Sequence, residues 1–331
     1  MEGGILISKL EERISLDKKN QQILQMLIDN SRIPVSKIAK KLKLSKPAVM
    51  QRIKNMQDKK IILQYITYFN LIFTSYKLHI ILLKTDNENE PKYSEILSKN
   101  KFTAGVVQLA SKFNLMWMIF SKDSQHFNQI LTNITKTIKI KDMKIFPIIE
   151  NYFDNYKLFG NAEKNLNISK PSQTKLDKKD AKILNVLKDN SRETLVNIAK
   201  DCNLTAEAVN QRIKKLKEKG IILSFFTNFD IFRFGFQPYL VMIKTNRQKQ
   251  DEILKFIRKH KNSNGQYLLD NDYDLMGVIV IKDLSELKDF IEKLNFEFKD
   301  QILDYQTYLL TNQIFSDFFP QGIYEDILKE N

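Results

Sequence analysis

A stretch near the start of the chain returns 160 residues later, and the register then holds without a gap. Leu16-Asp17-Lys18-Lys19 reappears as Leu176-Asp177-Lys178-Lys179, and Asp29-Asn30-Ser31-Arg32 as Asp189-Asn190-Ser191-Arg192. Ile38-Ala39-Lys40 matches Ile198-Ala199-Lys200, Gln51-Arg52-Ile53-Lys54 matches Gln211-Arg212-Ile213-Lys214, and Ile61-Ile62-Leu63 matches Ile221-Ile222-Leu223. About half the positions in this block are identical. The repeat is far longer than the roughly 20 to 50 residues of a solenoid unit, so it marks a duplicated pair of domains. Two copies of a binding unit in one chain act as a built-in dimer.

The first part of each copy reads as three helices. Asp17 is placed to cap a helix running to about Asn30, with Ile23, Leu24 and Leu27 on one face. Pro34 breaks it, a short helix follows over 35–42, and Lys43-Leu44 turn the chain. Ser45 caps a third helix whose first turn tolerates Pro47 and whose inner stripe is Val49, Ile53 and Met56. The second copy repeats this with caps Asp177 and Thr205 and inner residues Val209, Ile213 and Leu216. Helix, helix, turn, helix and then an apolar extended stretch is a winged helix-turn-helix pattern. Gly220 ends the last helix of copy two in an expected left-handed cap, whereas Lys60 stands there in copy one and predicts a more strained cap.

The third helix is the reading element to expect, because an α-helix fits the DNA major groove. Its candidate contact residues are Ser45, Lys46, Met50, Gln51, Arg52 and Lys54 in copy one. In copy two they are Thr205, Asn210, Gln211, Arg212, Lys214 and Lys215. Gln reads adenine and Arg reads guanine in bidentate fashion, while Lys more often meets phosphate. The same helices also serve as solvated faces in packing modules, so charge enters the argument. The formal net charge is +14, which favours a polyanion. Residues 17–60 hold 12 Lys and Arg against 3 Asp and Glu, and residues 177–220 hold 11 against 7. The first unit is therefore expected to supply more of the phosphate-dependent affinity.

From about Tyr65 the periodicity changes. Strands are expected over 76–84, 105–110, 115–120 and 144–150, with helices over 91–99 and 124–137. Copy two matches with strands over 236–244, 266–269, 275–281 and 302–310, and helices over 250–260 and 284–296. The order β-α-β-β-α-β is the ferredoxin-like arrangement, with two helices on one sheet face. Trp117, Phe120, Phe146 and Tyr308 are candidates to cover the other face by pairing it with a second sheet, core packing being the plainer role for Trp117. The fold class expected is α+β: two winged helix-turn-helix domains alternating with two ferredoxin-like βαββαβ domains. The expected boundaries are 1–64, 65–160, a polar linker over 161–175, 176–224, and 225–331 with a docked aromatic tail. The Lys-rich stretch 136–144 reads as a solvated helix end and turn.

Other chemistry is thin. The single cysteine, Cys202, leaves no disulfide or thiolate metal site and reads as a small buried residue. His79, His126 and His260 lie far apart, so no metal and no cofactor are expected. No apolar run approaches the roughly 20 residues of a membrane span, and the first residues lack a signal-peptide layout, so the chain reads as cytoplasmic.

Leu-Asp at the start, Asp-Asn-Ser-Arg after the first helix, Ile-Ala-Lys in the second and Val49-x-x-Arg52-Ile53-Lys54 in the third resemble the Lrp/AsnC family of prokaryotic transcription regulators. Leu204-Thr205 and Val209-x-x-Arg212-Ile213-Lys214 carry the likeness in copy two. The resemblance implies double-stranded DNA as partner, dimerisation through the sheet domains, and response to a small effector such as an amino acid; assembly of the pseudo-dimer into a further homo-oligomer stays open. Family members usually carry one unit per chain; this chain carries two. The family's turn between the middle strands typically reads Gly-x-Tyr-Asp. Here it is Asn271-Asp272-Tyr273-Asp274 and Ser111-Lys112-Phe113-Asn114, which points any effector contact to Tyr273 and Asp274. The leading expectation is a sequence-specific regulator acting as an intrachain pseudo-dimer on unlike half-sites. The alternative is a siroheme-decarboxylase-like enzyme, a class that looks like Lrp/AsnC proteins and is expected to use Arg and His after the helix-turn-helix. Gln64-Tyr65-Ile66-Thr67 and Ser224-Phe225-Phe226-Thr227 stand there instead, with neither.

Overall fold

The computed structural model describes residues 13–71, 75–159 and 175–330. The expected linker over 161–175 therefore lies, apart from Lys175, outside the described residues.

The first half begins with α1 (Lys18–Asp29), α2 (Val35–Leu42) and α3 (Lys46–Asp58), followed by β1 (Ile62–Phe69). Its sheet unit is β2 (Lys77–Thr85), α4 (Glu90–Lys99), β3 (Thr103–Ala110), β4 (Leu115–Ser121), α5 (Ser124–Thr135) and β5 (Ile140–Tyr152). The second half repeats the order with α6 (Lys178–Asp189), α7 (Leu195–Cys202), α8 (Ala206–Glu218) and β6 (Ile222–Phe229). Then come β7 (Gln237–Thr245), α9 (Gln250–Lys259), β8 (Ser263–Leu269), β9 (Leu275–Ile281), α10 (Leu284–Glu297), β10 (Ile302–Ser316) and a closing α11 (Gln321–Glu330).

The caps read from the sequence are formed. The side chains of Asp17, Ser45, Asp177 and Thr205 accept from the backbone N–H groups of Asn20, Ala48, Asp180 and Ala208. Both α3 and α8 end in the same backbone turn. Ile61 N–H donates to Met56 O in the first and Ile221 N–H to Leu216 O in the second. The residue at the bend has φ +70° in Gly220 and +52° in Lys60. A left-handed conformation is costly for a residue with a Cβ. Lys60→Gly is therefore expected to raise stability by about 0.5–1 kcal/mol, the larger unfolded-chain entropy of glycine offsetting part of the relief. The urea midpoint of the full chain checks it, and a fall in midpoint would count against the strain.

The two sheet units close on each other as one eight-stranded barrel, in the order β10-β3-β4-β2-β5-β8-β9-β7. Each half contributes four neighbouring strands, and the halves are joined by β5 to β8 and by β10 to β3. These joints explain why β5 and β10 run past the expected ends at 150 and 310. Their last residues pair with the other copy, as in Tyr152 with Gln266 and Ser316 with Gly105. The Lys-rich stretch over 136–144 is likewise not all turn, since β5 starts at Ile140. Closure covers the inner sheet faces. Phe146 sits beside Ile80 and Tyr308 beside Leu240, and both Ile80 and Leu240 face the interior. Phe120, beside Leu78, has the same parity. Trp117 points the other way into the helix layer, fully buried, its indole N–H donating to Thr103 Oγ1 at 2.9 Å.

The boundaries expected after residues 64 and 224 fall inside strands. β1 and β6 run across them and pair antiparallel as a separate two-stranded ribbon. The core of the first helical unit takes in Phe226 and Phe229 of β6, so each unit is completed by the other copy's strand. The tail docks as a strand extension and a helix. Phe319 and Ile323 are fully buried, and Asp326 accepts from the Tyr76 hydroxyl at 2.9 Å, tying the end of the second half to the first. Cys202 is buried at the end of α7, as expected.

Candidate nucleic-acid interface

The two helical units are held together on a local pseudo-two-fold axis, and the duplicated Asp-Asn-Ser-Arg segment makes the joint. The hydroxyls of Ser31 and Ser191 meet at 2.5 Å, fully buried. Arg32 donates to the backbone oxygens of Ser191 and Glu193 at 2.6 and 3.0 Å, and Arg192 donates to Ser31 O in return. Each guanidinium lies over an aromatic ring of the ribbon, Arg32 over Phe225 and Arg192 over Tyr65. Ser31 N–H donates to Phe225 O and Ser191 N–H to Tyr65 O, while the Thr67 and Thr227 hydroxyls donate to Leu187 O and Leu27 O. Burial first, then the charge of Arg192, lowers the pKa of Arg32. Two like charges tolerate this proximity because backbone carbonyls solvate both. The segment that reads as a family signature is thus the part that fixes one reading helix relative to the other.

On that frame α3 and α8 present their expected faces. Val49, Ile53 and Met56 are buried in α3, and Val209, Ile213 and Leu216 in α8. Ser45, Lys46, Met50, Gln51 and Lys54 are exposed in the first copy, as are Thr205, Asn210, Gln211, Lys214 and Lys215 in the second. Met50 is 59% exposed, a large apolar side chain on a polar face, suited to contact with a thymine methyl. Gln51 and Gln211 are held by neighbours on their own helices: Gln51 donates to Asn55 Oδ1 at 2.8 Å and Gln211 to Glu207 Oε1 at 2.9 Å.

Arg52 and Arg212 are placed differently from the rest. Arg52 donates to Asp17 Oδ2 at 2.7 Å and Asn20 Oδ1 at 3.0 Å. Arg212 donates to Asp177 Oδ2 and Asp180 Oδ1, both at 2.7 Å. Each ties the reading helix to the capped start of the unit's first helix. The Asn20 backbone N–H and then the Arg52 guanidinium hold Asp17 below the usual carboxylate range. Asp177 is lowered too: burial pushes it up, but the Asp180 N–H and Arg212 outweigh that. For Arg212, burial acts against the charge, yet the hydrogen bonds to Asp180 and Asp177 leave its pKa raised. These arginines tie the reading helix to the first helix of its unit. The spacing of 35 residues from Asp to Arg recurs in both copies and was the signal for the tie.

Tyr273 and Asp274 are buried and satisfied within the protein. Asp274 accepts from Thr245 N–H and from Arg247 Nε, each at 2.7 Å, and the Tyr273 hydroxyl donates to Asp304 at 2.7 Å. In copy one Asn114 plays the same part, accepting from Thr85 N–H at 2.8 Å. The pair fastens the end of one strand to the start of another, a turn-holding role that Asp274 plays with both of its carboxylate oxygens already hydrogen-bonded within the protein.

Comparison with known proteins places these units. Residues 16–57 match the AsnC-type helix-turn-helix domain, and residues 176–222 match a winged helix-turn-helix DNA-binding family. HTH-type transcriptional regulator LysM of Sulfurisphaera tokodaii is 32% identical over 120 residues, which cover 36% of this chain and 84% of that protein. The chain belongs to the Lrp/AsnC family. An uncharacterized HTH-type transcriptional regulator of Pyrococcus abyssi is 30% identical over 118 residues, covering 35% of this Lrp/AsnC chain and 80% of the relative. Such relatives correspond to one unit of the pair. The doubled architecture has its own likeness: the crystal structure of the siroheme decarboxylase NirDL superposes with a TM-score of 0.62 at 12% identity, over 94% of this chain and 99% of that one. That likeness is one of fold.

Proposed function

We propose that the chain is a sequence-specific, DNA-binding transcription regulator that acts as an intrachain pseudo-dimer. The observation that carries this is the rigid presentation of two unlike, solvent-facing helices. α3 and α8 are capped, tied from behind by Arg52 and Arg212, and set in fixed relation by the Ser31–Ser191 joint. A packing module has no use for Lys46, Lys54, Lys214 and Lys215, all solvent-exposed. The helices differ at their tips, Lys46, Pro47 and Met50 against Ala206, Glu207 and Asn210, so the operator has unlike half-sites. Joining the modules raises the effective concentration for the second half-site. Selection of bound duplexes from a random oligonucleotide pool at stated salt tests this. A bipartite, non-palindromic consensus is expected; a pool that stays random, or a perfect palindrome, counts against it.

The siroheme-decarboxylase-like alternative rests on the fold shared over both halves. In this chain the segments at 64–67 and 224–227 lie in the ribbon, where Thr67 and Thr227 are committed to the helix ends. An acidic tetrapyrrole needs cationic side chains to hold its carboxylates, and among the described residues none lines the cavity inside the barrel. Titration with siroheme, followed by absorbance, is expected to give no saturable spectral change.

A further inference from the structure

The barrel is not filled solid. Between its interior and the β1–β6 ribbon lies a cavity of about 180 Å3. Its walls are inward side chains such as Ile80, Val107, Met118, Leu240, Val278 and Leu310, and its floor is Tyr68 of β1 with Phe232 beyond β6. Two more tyrosines enter it, Tyr156 after β5 and Tyr267 on β8. Among the described residues, no Lys, Arg, His, Asp or Glu lines it. Tyr68, Tyr156 and Tyr267 bring phenol groups to the lining, and among the described residues the buried Oδ1 of Asn312 on the same wall has no hydrogen-bond partner. Unsatisfied polar groups in a buried site are costly and mark a place where a partner is due. Burial raises all three phenols, Tyr267 to about 12, so they are neutral donors throughout the physiological range.

We infer that this cavity is a binding site for an uncharged aromatic molecule of one or two rings that carries a hydrogen-bond acceptor, such as an aryl ketone. Size sets the upper limit, since an apolar cavity of about 150 Å3 takes benzene. The aromatic and Met lining suits a flat, polarizable ring, and the tyrosine hydroxyls supply donors to a carbonyl or ether oxygen. Charge sets the class. A free amino acid brings an ammonium and a carboxylate into a site with nothing to neutralise either, so the family's usual effector chemistry is excluded here. The cavity has a route to the reading helices. Tyr68 follows Thr67, whose hydroxyl caps the end of α6, so a ligand against Tyr68 bears on the ribbon that carries both helical units. That coupling, which is reciprocal, rests on the DNA-binding reading; the site itself does not.

Titration calorimetry of the full chain with acetophenone, ethylbenzene and L-phenylalanine tests the site. Acetophenone is expected to bind one per chain, roughly five- to tenfold tighter than ethylbenzene, and L-phenylalanine not at all. Val278→Phe fills the space and is expected to abolish both neutral ligands. Tyr267→Phe is expected to weaken acetophenone roughly fivefold while leaving ethylbenzene unchanged, and it decides the matter where Val278→Phe melts early. Absence of acetophenone binding up to its solubility, equal binding of L-phenylalanine, or wild-type affinity in Tyr267→Phe overturns the inference. The selected operator is titrated into the same samples. Ligand binding without an operator complex leaves the cavity standing and removes the regulatory reading, and the reverse result removes only the cavity.

Discussion

Arg258→Ala is expected to destabilise the chain by about 3–5 kcal/mol, the cost of leaving a buried carboxylate without its partner. Arg258 lies on α9 of the second half, and its guanidinium grips Asp154, just past β5 of the first, through Nε to Oδ2 at 2.8 Å and Nη2 to Oδ1 at 3.0 Å. The side chains are 6% and 4% exposed, and the guanidinium also stacks 4.4 Å above the Tyr152 ring. The geometry is bidentate and the surroundings dry, so neither charge has water to fall back on. Asp317, at the matching place past β10, takes Lys188 instead at 2.9 Å, with burial pushing its carboxyl pKa up. The two joints of the barrel are therefore chemically unlike, and the loss at Arg258 falls on the β5–β8 joint. Urea denaturation followed by circular dichroism measures it. Asp154→Leu with Arg258→Met is expected to recover most of the loss, because removing both charges also removes the desolvation cost. A loss below about 1 kcal/mol in Arg258→Ala, the range of a surface pair, would refute the account.

That ion pair was beyond the reach of sequence reasoning, and the reason is general to this chain. Local features were legible: the Asp and Ser/Thr caps, the Val49-Ile53-Met56 stripe and the strand-helix order each depend on neighbours within a few turns. Contacts between copies were not. The strand Ile62–Phe69 reads as apolar and extended, but nothing in its composition says that its partner is Ile222–Phe229 of the other copy. Nor did the ends of β5 and β10 look like strand, since Asn151-Tyr152 and Gln313-Ile314 do not alternate; their pairing with β8 and β3 draws them out. The duplication foretold a pair of sheets packed together, yet closure into a barrel follows from those two joints. At the candidate site, Lys46, Met50 and Lys54 were placed correctly on an outward face, because helical periodicity governs them. The ion pairs of Arg52 and Arg212 were not foreseen because a charged residue at an intermediate angle goes to whichever partner is nearer, and Asp17 and Asp177 are near.

Grip on DNA is expected to be weighted to the first half. Lys46→Ala with Lys54→Ala is expected to weaken operator binding roughly 30-fold near 0.15 M salt, about fivefold per lost phosphate contact, and to reduce the slope of log K against log salt by roughly 1.8. The matching pair in copy two, Lys214→Ala with Lys215→Ala, is expected to cost roughly three- to tenfold and a smaller slope. Lys214 already has Glu218 at 3.9 Å on its own helix, and Glu207 adds a negative charge in the first turn of α8. The helical unit around α3 carries 12 basic against 3 acidic residues, and that around α8 carries 11 against 7. Arg52→Ala separates orientation from charge contact. Its guanidinium is held by Asp17 and Asn20, so its loss is expected to weaken binding while leaving the salt slope near that of the unaltered chain. Filter binding or fluorescence anisotropy over a salt series measures all three. Equal slopes for the two lysine pairs would remove the asymmetry between halves. A slope change in Arg52→Ala as large as that of a lysine would place its guanidinium on phosphate rather than behind the helix.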